Sequence, residues 1–255
     1  MSEAPDHALP LPDKPGLSGR VILVTGASSG IGRALSIAAA GLGAQVILCG
    51  RSVRRLEAVH DAIVATGSPR PSIAPVDFER AGAEQYIAVA EGLQNSYGRL
   101  DGLAHLAAQL GERAPLEHYD VPTWMRVMHV NLNAAFILTR TLLPLLRASK
   151  DASVVFTGSS VSTRGRAYWG AYAASKFAIE GLMQILADET STTTNIRVNS
   201  INPGRARTPL RALAYPGEDS ATIPAPEEVL APYLYLLGPE SRGVTGRRFD
   251  GQSSA

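Results

Sequence analysis

The chain has 255 residues, of which 45% are hydrophobic, and its 24 Lys and Arg residues nearly balance its 23 Asp and Glu residues. A chain of this length could hold one α/β domain or two small ones, with one domain as the default, and its apolar content is enough for a sizeable core. The balanced charge leaves no large excess of either sign to steer the protein toward nucleic acids or anionic membranes. The lone Cys49 excludes a disulfide framework and a cysteine-based metal site. No apolar stretch approaches the roughly 20 residues of a membrane-spanning helix. We therefore expect a soluble cytoplasmic protein without a nucleic-acid, membrane or metal partner.

Residues 1–19 differ in composition from the rest of the chain. They contain Pro5, Pro10, Pro12 and Pro15 among polar residues. This pattern is too broken for a helix and too poor in apolar groups for a core. We predict a flexible N-terminal arm over 1–19 and a single domain over 20–255.

From residue 20 onward, short β-branched runs alternate with longer segments of helical period. The predicted elements, in chain order, are a strand at 21–25, a helix at 31–42, a strand at 45–49, a helix at 53–65, a strand at 72–76, a helix at 81–97, a strand at 103–106, helices at 121–130 and 132–147, a strand at 153–157, a helix at 171–190, a strand at 196–201, a helix at 226–237 and a last strand near 247–249. Strands and helices that alternate at this spacing predict a doubly wound parallel sheet, the Rossmann fold of the α/β class.

A glycine-rich turn separates the first strand from the first helix. Gly26, Gly30 and Gly32 stand at i, i+4 and i+6, a spacing that differs from G-x-G-x-x-G and lacks the Gly-Lys-Ser/Thr of a P-loop. Backbone without Cβ atoms approaches a pyrophosphate closely, and the positive end of the helix dipole favours its charge. A purely structural glycine turn is the open alternative. We predict that a dinucleotide contacts the turn at Gly26, Ser28, Ser29, Gly30, Ile31 and Gly32.

The end of the second strand indicates which dinucleotide is bound. A carboxylate there would accept from the free ribose hydroxyl of NAD, but the sequence reads Cys49-Gly50-Arg51. Arg51 can form a bidentate pair with the 2′-phosphate of NADP, so NADP is predicted over NAD. Arg51 as a solvated helix-start residue is the alternative. Weaker candidates for the same phosphate are Arg33, Arg54 and Arg55.

The ends of the third and fourth strands supply the next predicted cofactor contacts. These are Asp77, Phe78 and Ala107. Asp77 can accept a hydrogen bond from the adenine amino group, or it can cap the following helix.

Tyr172 and Lys176 stand four residues apart on a predicted helix, so their side chains share one face. A free phenol has a pKa of about 10, and a nearby ammonium lowers that pKa, which suits the pair to proton transfer. Ser159, at the end of the fifth predicted strand, can hold a substrate carbonyl oxygen, and Ser160 is the alternative. The open structural alternative is a half-buried tyrosine beside a snorkelling lysine.

The order and spacing of these motifs resemble the classical short-chain dehydrogenase/reductase family over residues 20–251, and in particular its bacterial YciK-type oxidoreductases. The resemblance rests on Thr25-Gly26-x-x-x-Gly30-x-Gly32, Asn131, Ser159, Tyr172-x-x-x-Lys176, and Asn202-Pro203-Gly204 followed by Thr208.

The resemblance implies a role for each matching residue. Tyr172 would be the general acid/base, Lys176 would lower its pKa and bind the nicotinamide ribose, and Ser159 would polarise the substrate carbonyl. Asn131 would sit at a helix irregularity and hold a water that links Lys176 to solvent. The nicotinamide would be flanked by Pro203, Gly204 and Thr208.

One segment departs from the family pattern. Where the family usually has Asn-Ala-Gly after the fourth strand, this chain has Leu106-Ala107-Ala108. Leucine replaces amide contacts with bulk, and the alanine adds a methyl group where the backbone approaches the cofactor. Cofactor affinity is therefore the property that this departure puts in question.

We expect an NADP-dependent oxidoreductase that acts on a carbonyl compound or a secondary alcohol. The alternatives are a catalytically weak nucleotide-binding sensor or scaffold of the same fold, and an epimerase or dehydratase of the extended branch of the family. The resemblance implies a homodimer or homotetramer that pairs through the helices at 132–147 and 171–190. The substrate pocket is expected among residues 109–122, 160–169 and 205–224, with a mobile lid at 215–226.

Overall fold

The computed structural model describes residues 16–252, and within them a parallel sheet forms the centre of the fold. Its strands are β1 (Val21–Thr25), β2 (Gln45–Gly50), β3 (Ser72–Pro75), β4 (Gly102–His105), β5 (Ala152–Thr157), β6 (Ile196–Asn202) and β7 (Arg248–Asp250). They lie side by side in the order β3-β2-β1-β4-β5-β6-β7, and every neighbouring pair is parallel. The predicted doubly wound sheet is thereby confirmed.

Helices cover both faces of this sheet. They are α1 (Gly30–Gly41), α2 (Val53–Ala65), α3 (Ala83–Tyr97), α4 (Val121–Met128), α5 (Ala134–Arg147), α6 (Gly170–Ser191), α7 (Pro209–Ala214) and α8 (Ala231–Leu237). Leu35 of α1, Leu56 of α2 and Leu236 of α8 are buried in one apolar cluster. Leu138 of α5 and Ile179 of α6 are buried in the other. Burial on both faces explains why the central strand β1 is a continuous apolar run rather than an alternating one.

The strand order places a crevice beside β1. The chain passes from β1 to β2 and β3 on one side, then returns to build β4, β5, β6 and β7 on the other side. Loops diverge at such a reversal, beyond the carboxyl ends of the strands, and open α/β sheets bind their ligands there.

Two helical segments differ from the sequence-based expectation. The helices predicted at 121–130 and 132–147 are joined by a π-helical turn over His129–Asn133, and the backbone stays in the right-handed helical region on both sides of it. The short helix α7 was not predicted. Thr208 caps it, because its Oγ1 accepts from Arg211 N at 3.2 Å, and Pro209 occupies the first turn.

The domain begins earlier than residue 20. Leu17 is fully buried against the α1 and α2 face of the core, and Arg20 N donates to Leu17 O at 3.1 Å. The other predicted arm residues, 1–15, lie outside the described residues. Within the described part of the chain, no helix has both the length and the apolar composition to cross a membrane.

Candidate active site

A cleft of about 650 Å³ opens at the carboxyl ends of the strands. That volume is within the ~300–1,000 Å³ range of small-molecule sites. The cleft is lined by nearly every residue predicted to bind the cofactor or to act on the substrate: Gly26, Ser28, Ser29, Gly30, Ile31, Gly32, Arg51, Asp77, Phe78, Ala107, Ser159, Tyr172, Lys176, Pro203, Gly204 and Thr208. The exception among the predicted residues is Asn131, although its neighbour Val130 lines the cleft.

The β1–α1 turn has the shape of an anion cradle. Gly26 and Gly30 have φ values of 67° and 52°, in the left-handed region that favours glycine. A Cβ atom on Gly32 would lie 2.4 Å from Gly26 O, so the turn has no room for a larger residue at this position. Ser29 begins α1 without a side-chain cap, and the first turn of the helix has no acidic residue. The first amide groups of α1 and its positive dipole end are therefore available to an anionic ligand.

Arg51 and Arg55 line the far end of the cleft, where β2 ends. Both side chains are exposed, and no carboxylate among residues 16–252 pairs with either of them. Arg33 and Arg54 do not line the cleft. Two unpaired guanidinium groups at this end fit the predicted 2′-phosphate better than the ribose hydroxyl of NAD.

Asp77 lies in the same region, at the end of β3. Its Oδ1 accepts from Glu79 N at 3.2 Å, so the carboxylate organises its own loop, and its neighbour Phe78 is buried. The remaining acceptor capacity of Asp77 is compatible with the predicted adenine contact.

A threonine supports the segment that departs from the family pattern. Thr25 Oγ1 accepts from Leu106 N at 3.0 Å and from Ala107 N at 3.1 Å, and so joins the ends of β1 and β4. Leu106 packs against the apolar core. The bulk of the leucine is thereby accommodated, and the polar contacts at this position come from a hydroxyl on the neighbouring strand.

Tyr172 and Lys176 lie one turn apart on α6 and are both buried, with exposed fractions of 8% and 4%. Lys176 Nζ donates to Thr157 O at 2.6 Å and lies 5.7 Å from the centroid of the Tyr172 ring. The predicted juxtaposition of a phenol and an ammonium on one helix face is confirmed. Their burial also removes the snorkelling lysine from the alternatives.

The electrostatics of the pair differ from the expectation. Burial raises the pKa of Tyr172 to about 12, and the nearby Ser159 side chain opposes that rise. Burial also lowers the pKa of Lys176 to about 8, while the negative charge of Glu180, one turn along α6, opposes the decrease. The burial of both groups therefore sets the pKa of each. Ser159 and Ser160 both line the cleft beside the phenol.

Asn131 lies at a helix irregularity, as the resemblance implied, and its side chain bonds both the loop after β4 and α6. In the π-helical turn its Oδ1 accepts from Gln109 N at 2.8 Å, and its Nδ2 donates to Gln109 O at 2.9 Å and to Ser175 Oγ at 3.0 Å. Its side chain has no direct hydrogen bond to Lys176 among the described residues. Asn131 therefore holds the loop after β4 against α6, one residue before Lys176 on that helix, and does not itself line the cleft.

The loop after β6 forms the remaining wall of the cleft. Gly204 has a φ of 73°, and a Cβ atom there would lie 2.6 Å from Gln252 Cδ. Asn202 Nδ2 donates to Asp250 Oδ1 at 2.8 Å and so ties the loop to β7. The hydroxyl of Thr208 caps α7, while its methyl group would lie 3.0 Å from a Cβ atom on Gly30. The loop therefore closes directly over the β1–α1 turn.

One buried group near the site was missed in the sequence. His105, at the end of β4, stacks on Phe156 with ring centroids 4.9 Å apart, and its Nε2 shares a hydrogen bond of 2.8 Å with Thr139 Oγ1. Burial and the positive charge of Lys176 lower its pKa to about 3, so the ring is neutral at physiological pH. A single histidine in an apolar strand gives no indication in the sequence that it lies near the active-site lysine candidate, Lys176. Only the fold brings it near Lys176.

Comparisons with known proteins agree with this geometry. A family model described as short chain dehydrogenase matches residues 20–219. The chain is 46% identical to the uncharacterized oxidoreductase YciK of Escherichia coli K12, over 92% of this chain and 93% of that protein. A short chain dehydrogenase structure from Pseudomonas syringae is 51% identical and superposes with a TM-score of 0.94, covering 96% of this chain and 99% of that one. A short chain dehydrogenase structure from Shigella flexneri 2a complexed with NADP is 45% identical, with a TM-score of 0.90 over 94% of this chain and 100% of that one. This protein therefore belongs to the short-chain dehydrogenase family of oxidoreductases.

Proposed function

We propose that the protein is an NADP(H)-dependent oxidoreductase that interconverts a carbonyl compound and a secondary alcohol, with Tyr172 as the general acid/base. The observation that carries the proposal is that the Ser159 hydroxyl, the Tyr172 phenol and the buried ammonium of Lys176 line one cleft together. A hydroxyl and a phenol together can hold one substrate oxygen, and the phenol can exchange a proton with it.

The cofactor assignment is supported from two sides. The unpaired guanidinium groups of Arg51 and Arg55 fit a 2′-phosphate at the far end of the cleft, and the open amide groups of α1 fit a pyrophosphate. A relative of 45% identity is complexed with NADP. When bound, the cofactor supplies or accepts the hydride.

The pKa values of Tyr172 and Lys176 indicate which group carries a proton at neutral pH and which reaction direction that state suits. With its pKa raised to about 12, Tyr172 is protonated at neutral pH and can donate its phenolic proton to a carbonyl oxygen, as reduction requires. Lys176 carries its charge below a pKa of about 8, and in that state it stabilises the tyrosinate left behind. Alcohol oxidation needs the tyrosinate at the start, so we expect it to require a higher pH than reduction.

The decisive experiment is a panel of carbonyl compounds and secondary alcohols followed by the absorbance of NADPH, with wild type and Tyr172→Phe. We expect turnover of a carbonyl compound by wild type and a loss of about 10²-fold or more in the variant. Tyr97→Phe is the matched control, because Tyr97 OH bonds Ser72 at the amino end of β3, on the opposite edge of the sheet. NADPH binding without turnover of any compound would instead favour the nucleotide-binding sensor. No binding of NADPH would refute both.

The proposal extends to a homodimer or homotetramer that pairs through α5 and α6. Phe136 on α5 is 48% exposed, and Phe177 and Ile185 on α6 are 42% and 58% exposed. Apolar side chains exposed on two long neighbouring helices suit a contact between subunits. A monomeric mass in light scattering at micromolar concentration would contradict it.

A further inference from the structure

A second pocket of about 400 Å³ adjoins the mouth of the cleft and shares Leu110, Gly111, Leu213 and Ala214 with it. The rest of its wall is made by Arg113, Tyr168 and Pro216, so Arg113 is its one charged lining residue. Among the described non-glycine residues, Tyr168 alone has a positive φ, 68°, and its side chain is 55% exposed. Strained backbone of this kind concentrates at ligand sites. We refer to this second pocket as the outer pocket.

A stack of aromatic and guanidinium groups connects the outer pocket to the catalytic tyrosine. The ring centroids of Trp169 and Tyr172 are 5.8 Å apart. The guanidinium of Arg113 lies 5.0 Å from the centroid of Trp169, and that of Arg166 lies 6.0 Å from it. Two positive charges therefore flank the ring that packs against the proposed acid/base.

Arg113 and Arg166 are held in place without a carboxylate. Arg113 Nη1 donates to Ala214 O at 2.5 Å, and Arg166 Nη1 donates to Tyr215 OH at 2.9 Å. Within residues 16–252 neither arginine forms an ion pair. Their positions are fixed by neutral partners, and their charges remain uncompensated.

The carboxylates nearby have other partners. Glu218 is bound by Arg211, whose Nε and Nη2 donate at 2.6 Å and 2.7 Å, and it also pairs with Arg205 at 3.6 Å. Glu112 is next to Arg113 in sequence, but its Oε1 accepts from Asp120 N at 2.5 Å. Guanidinium groups thus outnumber free carboxylates at the mouth of the cleft.

We propose that the outer pocket binds an oxyanion, a carboxylate or a phosphate, at the far end of the substrate. The substrate would be a carbonyl compound whose apolar middle lies against Leu110, Leu213 and Pro216, with its anionic end at Arg113. Arg166 does not line the pocket, but its guanidinium, 6.0 Å from the centroid of Trp169, adds a second positive charge beside it. Apolar walls with a few placed cations give affinity for the chain and orientation for the charge. This inference rests on the proposed function, because it places the carbonyl at Tyr172.

The test compares three aldehydes of similar size: para-formylbenzoate, its methyl ester and para-formylphenyl phosphate. For wild type we expect kcat/KM for at least one of the anions to exceed that of the ester by about tenfold or more, mainly through KM. In Arg166→Gln and in Arg113→Gln that ratio should fall severalfold, and in the double variant it should approach one, because kcat/KM for the anions falls much more than kcat/KM for the ester. The two anions distinguish a carboxylate from a phosphate as the preferred group.

Two further variants separate charge from structure. Arg113→Lys keeps the positive charge, so this variant should retain more of the preference for anions than Arg113→Gln. Both variants remove the guanidinium that donates to Ala214 O. Arg164→Gln is the control, because Arg164 is exposed and lines neither pocket, and the contacts with Tyr215 and Trp169 are made by Arg166 instead. Equal kcat/KM for the anions and the ester in wild type overturns the proposal, as does an unchanged preference in the double variant.

A binding measurement keeps this inference distinct from the proposed function. The melting temperature of the protein saturated with NADP is measured with added para-formylbenzoate or para-formylphenyl phosphate, in wild type and in the double variant. If no compound is turned over, the proposed function fails. The outer pocket is still supported if an anion raises the melting temperature of wild type alone, and it is overturned if both proteins respond equally.

Discussion

We expect the choice of cofactor to depend on Arg51 and Arg55, two arginines that the structure leaves without partners among the described residues, and their removal to change that choice. Arg51→Ala and Arg55→Ala each delete one guanidinium at the far end of the cleft. Because no described carboxylate pairs with either side chain, neither variant leaves a buried charge behind. The whole effect should therefore fall on the 2′-phosphate, which NADPH has and NADH lacks.

The size of the effect follows from the exposure of the two side chains. A hydrogen bond to a charged group contributes about 1.5–3 kcal/mol, and solvent screening at an exposed position keeps each arginine near or below the lower limit. A difference of about 1.4 kcal/mol is tenfold in a dissociation constant. We expect a loss of about tenfold in NADPH affinity for each single variant and of about a hundredfold for the double variant, with NADH affinity changed less than about twofold.

Fluorescence titration with NADPH and with NADH tests this prediction in wild type, the two single variants and the double variant. Arg54→Ala is the matched control, since it lies beside Arg55 on α2, is equally exposed and does not line the cleft. The reasoning is refuted if the double variant loses NADPH and NADH affinity by the same factor, or if Arg54→Ala has the same effect as Arg55→Ala. A smaller effect at high salt is expected, because the contact is exposed.

Three other predictions concern stability and pH. Thr25→Val removes the acceptor of Leu106 N and Ala107 N. The free energy of unfolding, measured with urea, should therefore decrease by about 2–4 kcal/mol. An unchanged unfolding midpoint would contradict this role of Thr25. Burial holds the pKa of His105 at about 3 in the folded protein, below the ordinary histidine value of 6.5. The unfolded chain therefore binds the extra proton, and the free energy of unfolding decreases as pH falls from 6.5 toward 3, by on the order of 4 kcal/mol. In His105→Asn the free energy of unfolding, measured with urea, should decrease less over the same pH range than in wild type. Equal decreases in the two proteins would show that His105 is not the source of this pH dependence. The rate of carbonyl reduction at saturating NADPH should decrease as pH rises through about 8, where Lys176 loses its charge. A rate that does not change up to pH 10 would contradict the role of the Lys176 charge in stabilising the tyrosinate.

The strands and most helices could be predicted because their signals are local. β1 and β2 are continuous apolar runs, and α2 begins and ends at the predicted residues, 53 and 65. The helix α7 was missed, because six residues give too short a period to recognise. The Thr208-Pro209 pair that caps it was a usable signal, and it was interpreted only as a cofactor contact.

The site was predictable in position but not in its electrostatics. The spacing of Tyr172 and Lys176 on one helix predicts that they are neighbours. How far each group is buried depends on packing from distant segments, and that burial raises one pKa and lowers the other. The clamp of Asn131 on Gln109 and the contact of Arg113 with Trp169 likewise join residues far apart in the chain. No pattern in the sequence marks them.

The π-helical turn at His129–Asn133 has a consequence for insertions and deletions. A wider turn accommodates an extra residue relative to an α-helix, and each residue of an α-helix turns the chain by about 100°. Deletion of one residue from this turn would restore a regular helix and leave α4 and α5 in phase, because the wide turn absorbs the rotation of its extra residue. The deletion would instead remove the widened backbone that carries Asn131 to Gln109. We therefore expect such a deletion to leave the two helices packed and to release the loop after β4.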